Sequence, residues 1–294
     1  MTGLRAILGA ALLGALLPLL VPALAAPHGL KVTWRPTHPH VGDVAWMTVQ
    51  GQGEGATIEG SVDGRPLRFF AHAGGYAALV GFDLDVKPGA HAWRLAVLLP
   101  GESPQTAQGR VQVRRRDFPV QRLTLPQSVV DLDPETERRA LTEGDRLRTL
   151  YQTVTLDRLW RGGFVRPVAG TDAGTGFGAR RIINGRPRSP HAGLDYAAPQ
   201  GTPVVAANDG RVALIADYFF PGRLVVLDHG LGLYTLYFHL DQIAVGEGER
   251  VSRGQTIGTV GATGRATGPH LHFGVQVGPA RVDPAALLDL AVRD

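Results

Sequence analysis

The 294-residue chain contains no cysteine. Structural disulfides, a thiol nucleophile, thiolate metal ligands and lipid attachment through an N-terminal cysteine are therefore excluded. Lysine is almost absent as well. Lys31 and Lys87 are the only two, so nearly all of the 30 basic residues are arginine. Against 26 acidic residues this leaves a net charge of +4. Such a mild excess suits an anionic matrix and lacks the dense basic patch of a nucleic-acid binder, so no nucleic-acid partner is expected. Three catalytic signatures are also missing: there is no H-E-x-x-H, no G-x-S-x-G elbow and no P-loop. The run "GTGFGA" at Gly174–Ala179 formally fits a dinucleotide fingerprint. No strand precedes it, however, and Asn184-Gly185 breaks any helix behind it, so no cofactor of that kind is expected.

What the chain has in abundance is glycine and proline, 39 and 21 residues, which favours short strands and turns. The first 25 residues carry Arg5, an apolar run from Ala6 and small residues at Ala23–Ala25. They read as a secretory signal peptide. An uncleaved anchor is the alternative, and Pro18, Pro22 and the small-residue end favour cleavage. The mature protein is then expected in a periplasm, in the cell envelope or outside the cell.

From 28 to 116, seven runs rich in β-branched and aromatic residues, among them "LKVTW", "VAWMTV" and "HAWRLAVLL", alternate between turn signals such as Asp63-Gly64. This pattern predicts an immunoglobulin-like β-sandwich. His38 and His40 flank Pro39 and read as a surface loop. A connector over 117–160 holds one helix, from about Pro134 to Thr153, capped by Asp133. Its stripe of Ala140, Leu141, Leu147, Leu150 and Tyr151 should pack on a domain. From 161 to 290 the texture becomes Gly-rich strands such as "TPVVAA", "LYTLYFHL" and "HLHFGVQV". The fold class is mostly β.

Chemistry concentrates in this last segment. His270 and His272 lie two apart on a strand and face the same side. His191 and Asp195 lie four apart on extended chain and also share a side, and His239 ends a strand. Four imidazoles and a carboxylate resemble the inventory of a zinc hydrolase, in which three protein ligands leave a position for water. The metal lowers the pKa of that water to about 7, and a surplus histidine, which titrates near neutrality, can move protons. Spacing alone leaves open which of His270 and His272 binds metal. His229, in "LDHG", reads as a residue that orients a turn or supports the metal ligands from behind rather than one that binds metal directly.

Together "RSPHAGLDYAAPQG", "LYTLYFHL" and "TGRATGPHLHFGV" resemble the lysostaphin/LytM-type zinc endopeptidases, the duplicated hybrid motif family. The resemblance covers about Phe164 to Asp283. It implies a compact antiparallel sheet with a groove lined by one zinc per chain, held by His191, Asp195 and His272, with His239 and His270 catalytic. It also implies peptidoglycan cross-links or stem peptides as substrate. Two rival functions remain: a non-catalytic module that activates cell-wall amidases through a protein partner, and a zinc protease of non-wall peptides. "GERVSRGQTIGTVGATG" is also similar to the biotinyl/lipoyl hairpin, but the segment has no lysine to modify, so that likeness concerns fold alone.

Overall fold

The structure, a computed structural model, describes residues 29–290 except 53–54, 125–126, 128–129, 172–173 and 175. The signal-peptide reading of residues 1–25 therefore lies outside the described residues. Among those described, no helix is long and apolar enough to cross a membrane.

The N-terminal half holds strands β1 (Lys31–Arg35), β2 (Val44–Gln50), β3 (Thr57–Val62), β4 (Arg65–Pro66), β5 (Phe70–His72), β6 (Gly75–Gly81), β7 (Gly89–Leu98) and β8 (Gln105–Val113). They form two four-stranded antiparallel sheets, ordered β1-β2-β6-β5 and β4-β3-β7-β8. Alternate residues from both, including Met47, Val80, Leu95 and Val97, bury one shared core. Asp63 and Gly64 both take positive φ, 48° and 78°, as the hairpin dipeptide at that position predicts. The run "PLRFF", expected as one strand, divides instead. Arg65–Pro66 pairs with β3, while Phe70–His72 pairs with β6 in the other sheet, so the chain changes sheets between them.

The remainder comprises β9 (Val120–Leu123), α1 (Pro134–Leu150), β10 (Arg180–Ile183), β11 (Arg186–Pro187), β12 (Gly193–Ala197), β13 (Pro203–Val205), β14 (Gly210–Tyr218), β15 (Gly222–Asp228), β16 (Leu233–Ile243), β17 (Arg250–Val251), β18 (Thr256–Val260), β19 (His270–Val277), β20 (Ala280–Val282) and α2 (Pro284–Leu288). The main sheet runs β12-β19-β16-β15-β14-β17, all antiparallel. The stretch read as connector contributes β9, which pairs with β10 in parallel, a departure from the antiparallel pattern of the sheets.

Asp133 caps α1 through its carboxylate, which accepts from the Glu135 and Thr136 amides. The helix stops at Leu150 rather than Thr153: the Gln152 and Thr153 amides donate to the Thr149 and Leu150 carbonyls, which tightens the last turn out of the α-helical pattern, and the Tyr151 ring packs on Tyr234. Leu147, Leu150 and Tyr151 pack on Leu224, Val226 and Leu236, as the stripe predicts. Leu141 does not join them and remains 59% exposed. In its register the helix instead buries Glu143, whose carboxylate accepts from Arg139 and from the Phe219 amide.

The two halves share a core. Val44, Trp46 and Leu84 of the sandwich join one apolar cluster with Trp160, Val277 and Val282. Across the same boundary Arg281 donates to both carboxylate oxygens of Asp83, and Arg116 donates to Asp283.

Candidate metal centre and flanking histidines

The site is built on the face of the sheet opposite the main core. In β19, Leu271 and Phe273 are fully buried in that core, so alternation turns His270 and His272 to the other face. Pairing with β12 sets Asp195 directly across from His272, and pairing with β16 sets Phe238 across on the other side. His191 enters from the segment before β12. Its own backbone fixes it there: its amide donates to the Ala179 carbonyl at 3.0 Å, and its carbonyl accepts from Gly178 at 2.8 Å.

Three donor atoms from these segments converge. His191 Nε2 lies 3.0 Å from Asp195 Oδ1, His272 Nδ1 lies 2.9 Å from the same oxygen, and the two nitrogens are 2.8 Å apart. Three pairwise contacts at this range cannot all be hydrogen bonds, because wherever the ring protons sit at least one pair sets two donors or two acceptors against each other; with neither nitrogen protonated, all three atoms are acceptors. Lone pairs meeting at one point make a cation site, and this trio is the one group among the described residues that could hold a metal ion. Burial works to raise the Asp195 pKa, but hydrogen bonds from His191 and His272 and their charges outweigh it and hold the carboxylate ionised. Burial pushes His272 down towards the neutral form a ligand needs, with Asp195 opposing.

Glycines make room for these rings. A Cβ at Gly193 would stand 2.6 Å from His272 Nε2, and one at Gly176 would stand 2.6 Å from His191 Nδ1. Gly176, from the "GTGFGA" run, thus lays bare backbone on the His191 imidazole, a role outside nucleotide binding.

His239 reaches the site through a distortion. The β15–β16 register slips between Val225 and Arg223, and His239 takes φ 63°, rare for a non-glycine residue. Plain alternation would send His239 to the face opposite Phe238. The bulge turns it back, so its ring centroid lies 4.7 Å from that of His270. Its Nδ1–H donates to the Thr263 carbonyl at 2.8 Å, and the Nδ1–H of His270 donates to the Gly268 carbonyl at 2.8 Å. In the neutral rings both Nε2 atoms therefore carry lone pairs. His270 Nε2 stands 3.9 Å from Asp195 Oδ1, at the edge of the donor trio. Burial, then the charge of His272, holds His239 down to about 4.

The five side chains singled out in the sequence thus come together. His229 does not join them. Its Nδ1 donates to the Asp209 carbonyl and its Nε2 meets the Thr235 hydroxyl, so it holds a turn. Sequence reasoning missed Phe238, whose ring stacks on His272, and Arg181, whose Nη2 lies 3.9 Å from Asp195 Oδ2.

Residues 189–284, which contain all five side chains, match the model of Peptidase family M23. Over 131 residues the chain is 40% identical to the peptidoglycan DD-endopeptidase ShyA of Vibrio cholerae, covering 44% of this chain and 28% of that protein. It is likewise 40% identical over 128 residues to the DD-carboxypeptidase/endopeptidase Mpg of Neisseria meningitidis, covering 43% of this chain and 30% of that one. The chain therefore spans less than a third of the length of these relatives. The likeness is longer to a solved M23 peptidase structure from Pseudomonas aeruginosa: 31% identity, 87% of this chain, 96% of that one, and a TM-score of 0.64.

Proposed function

The chain belongs to peptidase family M23, and from that premise we propose that it is a zinc metalloendopeptidase hydrolysing peptide bonds in peptidoglycan cross-links or stem peptides. One observation carries the reading: His191, Asp195 and His272, from separate stretches of chain, bring three donor atoms within 3.0 Å of one another, with two further imidazoles beside them. Tetrahedral zinc, with bonds of about 2.0–2.1 Å, holds its donors about 3.3 Å apart, a few tenths wider than this trio. Two imidazoles and a carboxylate are also the donor types zinc takes at hydrolytic sites. The names of the relatives support peptidoglycan as the substrate class.

In this reading His191 Nε2, Asp195 Oδ1 and His272 Nδ1 hold the ion. When bound, zinc supplies Lewis acidity towards water and the scissile carbonyl. His270 accepts the proton of the attacking water at Nε2, since its Nδ1–H is committed to Gly268, and returns it to the leaving amine. His239, neutral at pH 7, offers a second acceptor at Nε2 and assists that transfer. As long as Thr263 holds its Nδ1–H, it cannot donate to a developing oxyanion without first gaining a proton.

The sandwich docks at the Val277 end of β19, seven residues and about 23 Å along the strand from His270. An exported, cell-envelope location follows from the substrate and from the N-terminal sequence.

Mass spectrometry of muropeptides released from purified sacculi by the zinc-loaded protein, with an EDTA control, tests the proposal. The expected products carry new amino and carboxyl ends at one peptide bond and vanish with EDTA. A protein that holds stoichiometric zinc and releases nothing would overturn it.

A further inference from the structure

We infer that Arg181 and Arg265 form a carboxylate-binding subsite beside the metal centre, so that the peptide taken carries a free carboxylate close to the scissile bond. The identity of the ligand as a peptide rests on the peptidase reading; the anion preference rests on the arginines.

Contacts run in an unbroken order across the site. Arg181 faces Asp195, Asp195 faces His270, His270 meets His239, and His239 is held by Thr263. Arg265 follows Thr263 by two residues. One arginine, on β10, thus borders the donor trio, and another, on the Thr263–Arg265 loop, follows the residue that holds His239. That loop is fixed in place. The Arg265 amide donates to the Phe220 carbonyl at 3.0 Å, and a Cβ at Gly264 would stand 2.2 Å from the Gly222 amide.

The Arg265 guanidinium carbon lies over Phe220, 4.0 Å from the ring centroid. Contact with a ring face consumes none of the N–H donors of a guanidinium. Among the described residues none of these donors is hydrogen-bonded and no carboxylate pairs with Arg265. Arg181 makes one hydrogen bond, from Nε to Gln121 Oε1 at 3.3 Å, and its Nη2 edge is left unmatched: Asp195 Oδ2, at 3.9 Å, is beyond hydrogen-bond reach, and Asp195 Oδ1 already meets both histidine ligands. Burial lowers the pKa of Arg265, and the charges of Arg181 and Arg188 lower it further, so these cations act on one another. Partly buried cations that repel one another are unfavourable unless an anion completes the set. A planar carboxylate matches the edge of a guanidinium and can take two parallel N–H bonds from it.

The test is titration calorimetry on the full, zinc-loaded chain at low salt. The probes are two synthetic L-Ala–γ-D-Glu–diamino acid–D-Ala peptides, one with free carboxylates and one with every carboxyl converted to carboxamide. The free-acid form should bind about tenfold more tightly or better, the scale of one charge-assisted contact. Arg265→Gln should bring the two affinities to within about twofold, and Arg265→Lys, which keeps the charge but not the fork, should restore part of the gap. Equal affinities in the unaltered protein, no measurable binding of either peptide, or an Arg265→Gln loss that falls on both peptides alike would each overturn the inference. Cleavage followed on the same samples reads the peptidase assignment separately. Carboxylate-selective binding without hydrolysis of peptides or sacculi would sink that assignment and leave the subsite standing.

Discussion

Phe238 lies flat against His272, the ring centroids 5.3 Å apart and the planes 12° from parallel. The two residues are register partners on adjacent strands, so the phenyl ring fixes the plane of an imidazole that must aim Nδ1 at the donor trio. Phe238→Ala should leave the far-ultraviolet circular dichroism unchanged yet weaken zinc retention by roughly tenfold or more, the usual range for a residue that orients a ligand. Competition with a chromophoric chelator measures this. Unaltered zinc affinity would show that Asp195 alone orients His272.

Exchange of roles between His270 and His272 is the sharpest check on the site. His272→Ala should lose both zinc and activity. His270→Ala and His239→Ala should keep zinc while turnover falls by about 10² or more, the loss expected for general acid–base groups. Metal analysis of the purified variants beside initial rates on sacculi separates the two outcomes. Zinc lost from His270→Ala and kept by His272→Ala would reverse the assignment.

Gly193 touches no metal, yet Gly193→Ala should behave like a ligand mutation. Its added methyl would sit 2.5 Å from the Phe273 carbonyl and 2.6 Å from His272 Nε2, distances that real Cβ atoms do not occupy. Either the β12–β19 pair spreads or the imidazole swings away, and both displace a donor. The expected result is a folded protein with zinc occupancy reduced at least as far as in Phe238→Ala. Full occupancy and full activity would mean that the strands yield more easily than their hydrogen-bonded register suggests.

Much of this site is legible from spacing, because its logic is local. H-x-H on a strand must present both rings to one face, and H-x-x-x-D on extended chain must do the same; the structure puts Asp195 opposite His272 as a result. Legibility stops where the strand rules break. Read by alternation, His239 would point away from the face carrying Phe238, and only the bulge with its positive φ returns it. Arg181 escapes notice because it stands on a two-strand hairpin whose neighbour β9 arrives from some sixty residues earlier through a parallel pair. No local pattern encodes that pairing. Leu141 misleads for a related reason: helical spacing marks a possible stripe, but docking on the sheet rotates the helix so that Glu143 goes inward.

The interface between the halves should unfold with the rest. A shared core and the Arg281–Asp83 pair bind the sandwich to β19 and β20, so calorimetry should show one transition for the full chain. Gly81 lies at the contact, where an added Cβ would stand 2.8 Å from Ala280 Cβ. Gly81→Leu should therefore wedge the halves apart and split or broaden the transition. Two resolved transitions in the unaltered protein would show that the shared core does not couple them.

His229 makes the fold acid-labile. Its ring is fully buried, its Nδ1 donates to the Asp209 carbonyl at 2.7 Å and its Nε2 meets the Thr235 hydroxyl at 2.7 Å. Burial pushes the pKa from 6.5 to about 4, against the Asp209 carbonyl and the charges of Asp228 and Asp209. Between those two values the unfolded chain binds a proton that the folded chain refuses, so stability rises with pH across this window. The contribution is fully present above about pH 6.5 and falls away as the pH drops towards 4. It amounts to roughly 2 kcal/mol between about pH 7.5 and 5. His239, also held down to about 4, acts in the same direction, so removing His229 should take away part of the dependence. Urea unfolding in EDTA at those two pH values, with the unaltered chain beside His229→Gln, reads it directly. The variant should be less stable near neutrality and lose less on acidification, with the denaturant slope unchanged. Identical acid losses in the two proteins would mean that His229 is already charged in the fold and that the Thr235 contact has been misread.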